Sequence, residues 1–310
     1  MLKQPINLLS KEIFAGLTTF FTMSYIVILN PLIWSTNGTG VSLAFALNAT
    51  VIILFLVNML SCFLVKLPYA FGPGMGLNAF VVYTVILSEK IPFETALGVI
   101  FWSSVLFILI SILPVRQKII EALPENMKHA MSCGIGFFLA FIGFKNLNLV
   151  IIDQTTMLSL GKLDFKLFLG ILGFFIAFFL FQRKKSYAFL FSILFITFLS
   201  IVTGSSSLPE RWVSLPDFSK TFPKVDIWGA FKLSLAPTIL SLFITNLFDS
   251  ISTIIGLSSS SGMLDAKGNP IKLKQILFVD SLGSLMSSFI GTSPTAVYIE
   301  SAAGIQAGGK

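Results

Sequence analysis

The sequence predicts an all-α polytopic membrane protein, organised as an inverted seven-span repeat in which spans three and ten are broken. Three observations carry this. Over 310 residues, 55% are hydrophobic and 11% charged, with a mean hydropathy of +0.90. A soluble domain carries about 25% charged residues, so most of this surface faces something other than water. Apolar runs long enough to span a bilayer recur along the chain, separated by short polar loops. Finally, two of those runs are interrupted by Gly and Pro at matching places.

Span one covers 13–34. It is too long for a signal-peptide core, lacks a small-residue cleavage site and ends in Leu-Asn-Pro, so it reads as a retained span. Spans two to seven follow at 41–65, 69–87, 95–113, 130–151, 165–181 and 187–203. The Ser-, Pro- and Gly-rich stretch 204–232 is an irregular connection. Spans eight to ten occupy 233–257, 273–290 and 294–306. Of the 21 Lys and Arg residues, 13 fall on the side of the N-terminus, among them Lys3, Lys11, Arg116, Arg183 and Lys272. Half of the rest lie in or beside the long loop, which weighs less in the charge rule, so the N-terminus is cytoplasmic.

Seven spans precede the long loop. An odd number per unit makes a second copy enter from the opposite side. Span three opens "YAFGPGMGLNAF" and span ten "IGTSPTAVYIES". Gly72 and Gly291 are separated by nearly the same length of chain as Ile13 and Leu233, the starts of spans one and eight. Interrupted hydrophobic segments at matching positions of two halves point to a transporter's midplane site. The plainer reading is that these glycines only permit close helix packing. "GPGMG" is no dinucleotide loop, because no strand or soluble βαβ unit frames it.

Other function classes fall away. Cys62 and Cys133 sit in apolar runs and read as buried packing residues. They and the single His129 lack metal-site spacing, so no metal or cofactor is expected. The net charge of +7 is scattered over loops rather than clustered with aromatics, so nucleic acid is not an expected partner.

Three acids lie inside spans: Asp249, Asp280 and Glu300. A carboxylate at the centre of a membrane helix costs ~2.5–3.5 kcal/mol even on lenient insertion scales, and such residues mark pathways. Asp249 lies about 18 Å along span eight from Pro237, past the midpoint of the hydrocarbon core. Asn246, Asp249 and Thr253 share one helix face. Glu300 follows Pro294 by six residues, where a broken segment reaches the interior. Asp280 sits only about 9 Å inside span nine and reads as structural, paired with Lys272 or Lys274 or capping a neighbouring helix. Asn78 and Phe80 lie where the first broken segment should meet the second.

"AGLTTFFTMSYIVILNP", "LPYAFGPGMGLNAFVVYT", "NLFDSISTIIG" and "SPTAVYIESAAGI" resemble the signature segments of the nucleobase–cation symporter family. The similar branch is that of the adenine/guanine/hypoxanthine permeases (AzgA-like), and the resemblance runs from about residue 10 to the last residue. It implies a fourteen-span protein of two inverted repeats, in which a core domain moves against a gate domain by an elevator or rocking motion. Residues 1–113 would form the first part of the core (spans one to four). Residues 114–203 would form the first part of the gate (spans five to seven), 204–232 an extracellular loop, and 233–310 the second part of the core. Purine bases would be bound near the midplane and taken up with protons across the cytoplasmic membrane. The family's span-eight acid falls on Asp249, its span-ten glutamate on Glu300 and its span-three aromatic on Phe80. Two departures stand out: Ser250 and Ser252 replace a common Thr and Gly, and Asn246 stands where the branch commonly has an acid. The chain also ends straight after span ten, so it reads as a truncated form with about ten of fourteen spans, expected to insert but not to transport alone.

The chemistry supports the same substrate class. A carboxylate accepts the paired edge N–H groups of a purine, and Phe80 or Tyr298 can stack on its face. With no His inside a span, Asp249 or Glu300 is the group left to carry a proton. The partners expected are a purine nucleobase, a proton and the lipid bilayer, with a homodimer left open. Two rivals remain: a membrane-embedded enzyme using Asp249 and Glu300 as an acid–base pair, and a same-fold carrier of another anion. The first lacks a nucleophile, metal cluster or cofactor motif. The second would favour basic groups at the site over two acids.

Overall fold

A computed structural model describes residues 4–113, 147–153, 157–183, 188–206, 222–265 and 269–309, with isolated positions between 126 and 145. Most of the span expected at 130–151 lies outside the described residues. Among those described, five stretches are helical, long and apolar enough to cross a membrane: Ser10–Trp34, Leu43–Leu64, Phe93–Ile112, Phe165–Gln182 and Leu233–Ser259.

Span one is two helices, α1 (Gln4–Met23) and α2 (Ile26–Trp34), not one run. The Thr18, Thr19 and Thr22 hydroxyls donate back to carbonyls one turn earlier, a pattern that bends helices. Tight i→i+3 bonds, Val27 N–H to Ser24 and Ile28 N–H to Tyr25, close the junction. Helix α3 (Leu43–Leu64) starts at Ser42, whose hydroxyl accepts the Phe45 amide.

Span three is broken as expected. A strand, β1 (Phe71–Pro73), leads into a short helix, α4 (Met75–Ala79), and a wider π-helical stretch, Phe80–Ser88. Helix α5 (Phe93–Ile112) begins after Pro92. Strands β2 (Val150–Asp153) and β3 (Met157–Leu160) form an antiparallel hairpin, where the sequence predicts the end of span five and a loop. Helices α6 (Phe165–Gln182) and α7 (Ala188–Val202) pack as a pair, tied by the Ser192 hydroxyl to the Gly173 carbonyl at 2.6 Å. Their outward Phe168, Phe174, Phe178 and Phe198 are exposed, as side chains meant for lipid should be.

The second half begins with a single turn, α8 (Ile227–Ala230). Helix α9 (Ala236–Ser261) runs four residues past its expected end, to Gly262 in the left-handed conformation. Helix α10 (Leu273–Ile290) has the bounds expected of span nine. Span ten is β4 (Thr295–Val297) and α11 (Ser301–Gln306). Helix α10 packs between α3 and α5. Its inward face carries Asp280, Ser281, Ser284, Ser287 and Ser288, all fully buried. Small hydroxyls let helices approach closely in a membrane.

Two expectations need correction. Gly291 caps the C-terminus of α10 at φ 94°, and a Cβ there would meet the Phe45 ring at 2.5 Å, whereas Gly72 lies within β1. The two glycines therefore hold different places. The elements themselves repeat at a slightly longer interval. Leu64 and Ile290 end helices, Met75 and Ser301 begin them, and the members of each pair are equally far apart in the chain. Cys62 and Cys133 are exposed, not buried, because in a bilayer an apolar face turns outward as readily as inward.

Candidate functional site

The two broken spans meet. β1 pairs antiparallel with β4 in the register Phe71 with Val297, Gly72 with Ala296 and Pro73 with Thr295. The ladder continues at both ends, from the Gly74 amide to the Pro294 carbonyl and from the Tyr298 amide to the Ala70 carbonyl, each 2.9 Å. A two-stranded sheet has two open edges, and open edges are not tolerated in hydrocarbon. Side chains close both. Asn58 on α3 brackets Phe71, donating to its carbonyl at 2.7 Å and accepting its amide at 3.0 Å. Ser284 on α10 does the same for Thr295, accepting its amide at 3.1 Å and donating to its carbonyl at 3.3 Å. Asn58 and Ser284 are separated by the same interval as Met75 and Ser301. Ahead of β4, Asn30 of α2 donates to Thr50 and Thr292 and accepts from Ser293, which anchors the Gly291–Pro294 turn.

Around this sheet the acids take three different places. Asp249 projects from α9, which packs against β4 and α11. It is half-buried, and its carboxylate accepts no hydrogen bond among the described residues. Glu300 lies in the turn before α11 and does not cap that helix. Its Oε1 instead accepts the Tyr25 hydroxyl at 2.6 Å, across from the break in span one. Both candidate carboxylates thus flank β4, Asp249 from the helix packed against it and Glu300 from the turn that follows Tyr298. Tyr298 donates its own hydroxyl to the Pro73 carbonyl at 2.6 Å. That leaves its ring, and not a phenolic proton, to offer a ligand.

Asp280 is fully buried behind the sheet. It accepts from Ser250 on α9 and from Thr295 on β4, the latter at 2.9 Å. Pairing with Lys272 is not what holds it, since that ammonium donates to the Val65 carbonyl at 2.9 Å. Asn246 donates to Ser284 at 3.1 Å, so the polar face of α9 splits: Asn246 turns into the protein, while Asp249 and Thr253 remain half-buried. Asn78 is fully buried, with neither amide atom hydrogen-bonded. Phe80 is half-buried against the cluster of Leu77, Val81 and Val82.

Tyr25, Asn58 and the hydroxyls of Ser250, Ser284 and Thr295 escape a reading of the sequence. A lone Asn in the apolar run of span two is the available signal for Asn58. Nothing local distinguishes Tyr25. An apolar groove of about 660 Å³ lies elsewhere, between α1, α3 and the 66–70 turn, and contains neither Asp249 nor Glu300. Among the described residues no three His, Cys, Asp or Glu side chains stand close enough to hold a metal ion.

Comparison with known proteins agrees with this architecture. The transmembrane domain of a cyanobacterium bicarbonate transporter, BicA, superposes with a TM-score of 0.67 over 97% of this chain and 78% of that one, at 15% identity. This likeness is one of fold alone. Adenine permease AdeP of Escherichia coli (strain K12) is 37% identical over 300 residues, 96% of this chain and 67% of that protein. Guanine/hypoxanthine permease PbuO of Bacillus subtilis (strain 168) is 32% identical over 316 residues, covering 100% of this chain and 72% of the relative. The model of the Permease family Xan_ur_permease matches residues 10–310. Two broken spans joined as a sheet, five membrane-length apolar helices and a family match over nearly the whole chain lead to one conclusion: this chain belongs to the Xan_ur_permease family of permeases, a multi-pass membrane transporter and not an enzyme.

Proposed function

We propose that the protein carries purine nucleobases across the cytoplasmic membrane together with protons, with its N-terminus in the cytoplasm. The observation that carries this reading is the pairing of the two broken spans, with Asp249 on the helix packed against β4 and Glu300 in the turn just beyond it. Relatives named as adenine and guanine/hypoxanthine permeases support a purine as the cargo. Asp249 and Glu300 accept the N–H groups of the base edge, a chemistry suited to carboxylates. Tyr298 and Phe80 supply aromatic surface, Thr253 adds a hydroxyl beside Asp249, and the buried amide of Asn78 is a polar group held in reserve for the base. One of the two acids takes up the transported proton.

Residues 1–113 and 233–310 form a core of two inverted halves, and 114–203 the first part of a gate. The equivalent placement of Asn58 and Ser284, each closing a strand edge, supports the repeat. The Lys145 ammonium over the Tyr83 ring at 5.2 Å supports a contact between gate and core there. The core slides or rocks against the gate to expose the site to each side in turn.

The test is equilibrium binding of radiolabelled adenine, guanine and hypoxanthine to purified protein, together with uptake into permease-deficient cells with and without the spans that would complete the fourteen-span fold. Asp249→Asn and Glu300→Gln nearly conserve size and remove the charge. Each should weaken binding about ten- to hundredfold, the range for a hydrogen bond to a charged group, with the protein still in the membrane. Uptake should collapse with a protonophore. Near-normal binding in both variants would refute the site.

A further inference from the structure

We infer that Tyr25 is a positioning residue for Glu300, fixing the carboxylate in the orientation in which it meets the base. The inference rests on the reading of Glu300 as a substrate contact and deepens it. A short polar side chain one residue ahead of a helix commonly turns back to bond the free amides of the first turn. Glu300 does not do so for α11. It accepts instead from the Tyr25 phenol at 2.6 Å. That distance is typical of an O–H donor on an ionised acceptor, the stronger kind of hydrogen bond.

The donor is placed by the interruption of span one. The helix breaks between Met23 and Ile26, and Tyr25 sits in the break, where the i→i+3 bonds of Ser24 and Tyr25 replace regular helix. One turn earlier, the Thr22 hydroxyl reaches the Glu300 carbonyl at 3.5 Å. Side chains of span one thus touch both the backbone and the carboxylate of the same residue. Helix α11 packs on α1, so the turn carrying Glu300 is fixed against the element that carries its partner. The other nearby phenol cannot substitute, because Tyr298 donates to Pro73. A carboxylate free to rotate would lose orientational freedom on binding, whereas a clamped one meets the base already aligned.

Tyr25→Phe removes only the hydroxyl. In purified full chain, the Kd for hypoxanthine should rise about tenfold, the size of one hydrogen bond to a charged group. A second readout separates positioning from general packing. In infrared difference spectra taken on adding hypoxanthine, the carboxyl band that disappears in Glu300→Gln should move in frequency in Tyr25→Phe. A wild-type Kd and an unmoved band in Tyr25→Phe, with binding impaired in Glu300→Gln, would overturn the inference and leave the site reading standing. Wild-type binding and an intact band in Glu300→Gln would take down both. Weaker binding in Tyr25→Phe with the band unmoved would also overturn it, since the tyrosine would then act without touching the acid's environment.

Discussion

At the scale of single residues, the acids inside the spans are distinguished by their partners rather than by their charge. Asp280 is surrounded by hydroxyls that donate to it from α9 and β4, and Asp249 has no such donor among the described residues. The first arrangement holds elements together; the second leaves capacity for a ligand. Asp280→Asn retains an acceptor oxygen, and the Ser250 and Thr295 hydroxyls can turn to accept from its amide, so the loss should be modest. Asp280→Leu strands the Ser250 hydroxyl in a dry interior, at about 1–3 kcal/mol for a group left unpaired, while Thr295 keeps the Asp280 backbone carbonyl at 2.8 Å. We expect Asp280→Leu to lower the thermal unfolding midpoint and the membrane abundance far more than Asp280→Asn does. Equal effects would show that the charge, not the hydrogen bonds, is what matters. Asp249 and Glu300 were legible in the sequence because a carboxylate in an apolar run is costly wherever it points. The structural part of Asp280 was legible only in kind. Its partners come from residues 30 positions before it and 15 after it, and no local spacing encodes those encounters; the same holds for Tyr25 and Glu300, which are 275 positions apart.

At the scale of elements, the feature that organises the centre is a sheet of two three-residue strands where hydrocarbon would otherwise demand helix. It persists because its outer backbone groups find partners in two side chains on two different helices. The interruption of spans three and ten could be read from Gly and Pro, since these residues disfavour helix on their own. The pairing itself could not: Gly72 and Gly291 look equivalent in the sequence, yet one lies in a strand and the other caps a helix. What repeats is the order helix, strand, helix, together with the edge-closing side chain. Asn58→Ala should therefore be more damaging than its place in an apolar helix suggests. It removes both a donor and an acceptor from Phe71, leaving two backbone groups unpaired at about 1–3 kcal/mol each. Thermal unfolding of the purified variant should place Asn58→Ala well below wild type. An Asn58→Ala protein as stable as wild type would mean that the strand edge finds water or another donor, and that the side chain is not its seal.

At the scale of the whole molecule, the two halves are tied to each other at both ends. At one end, Thr238 at the start of α9 donates to Glu89 at 3.1 Å, and Thr95 at the start of α5 donates to Asp226 at 3.0 Å. At the other end, Lys272 ahead of α10 donates to the Val65 carbonyl just after α3. These ties put residues 88–95 on the same face as the segment leading into α9, and residues 65–66 on the same face as 272–274. Helices α6 and α7 add a second constraint. As a packed pair of 18 and 15 residues they are about 27 and 22 Å long, so the turn after Gln182 and the turn after Val202 lie on opposite faces of the bilayer. Lys and Arg crowd the first of these turns, and the charge rule assigns it to the cytoplasm. The expected outcome is thus a pattern over four positions rather than one. With Cys62 and Cys133 first replaced by Ser, because both are exposed, single cysteines at Gln182 and Lys274 should react with an impermeant thiol reagent only from the cytoplasmic side. Cysteines at Ser88 and Ser205 should react only from outside. A complete reversal would overturn the orientation while preserving the architecture. A split within either pair would break the architecture itself, since Ser88 and Ser205 share a face only if the second half is threaded against the first as the Thr238–Glu89 and Thr95–Asp226 ties require.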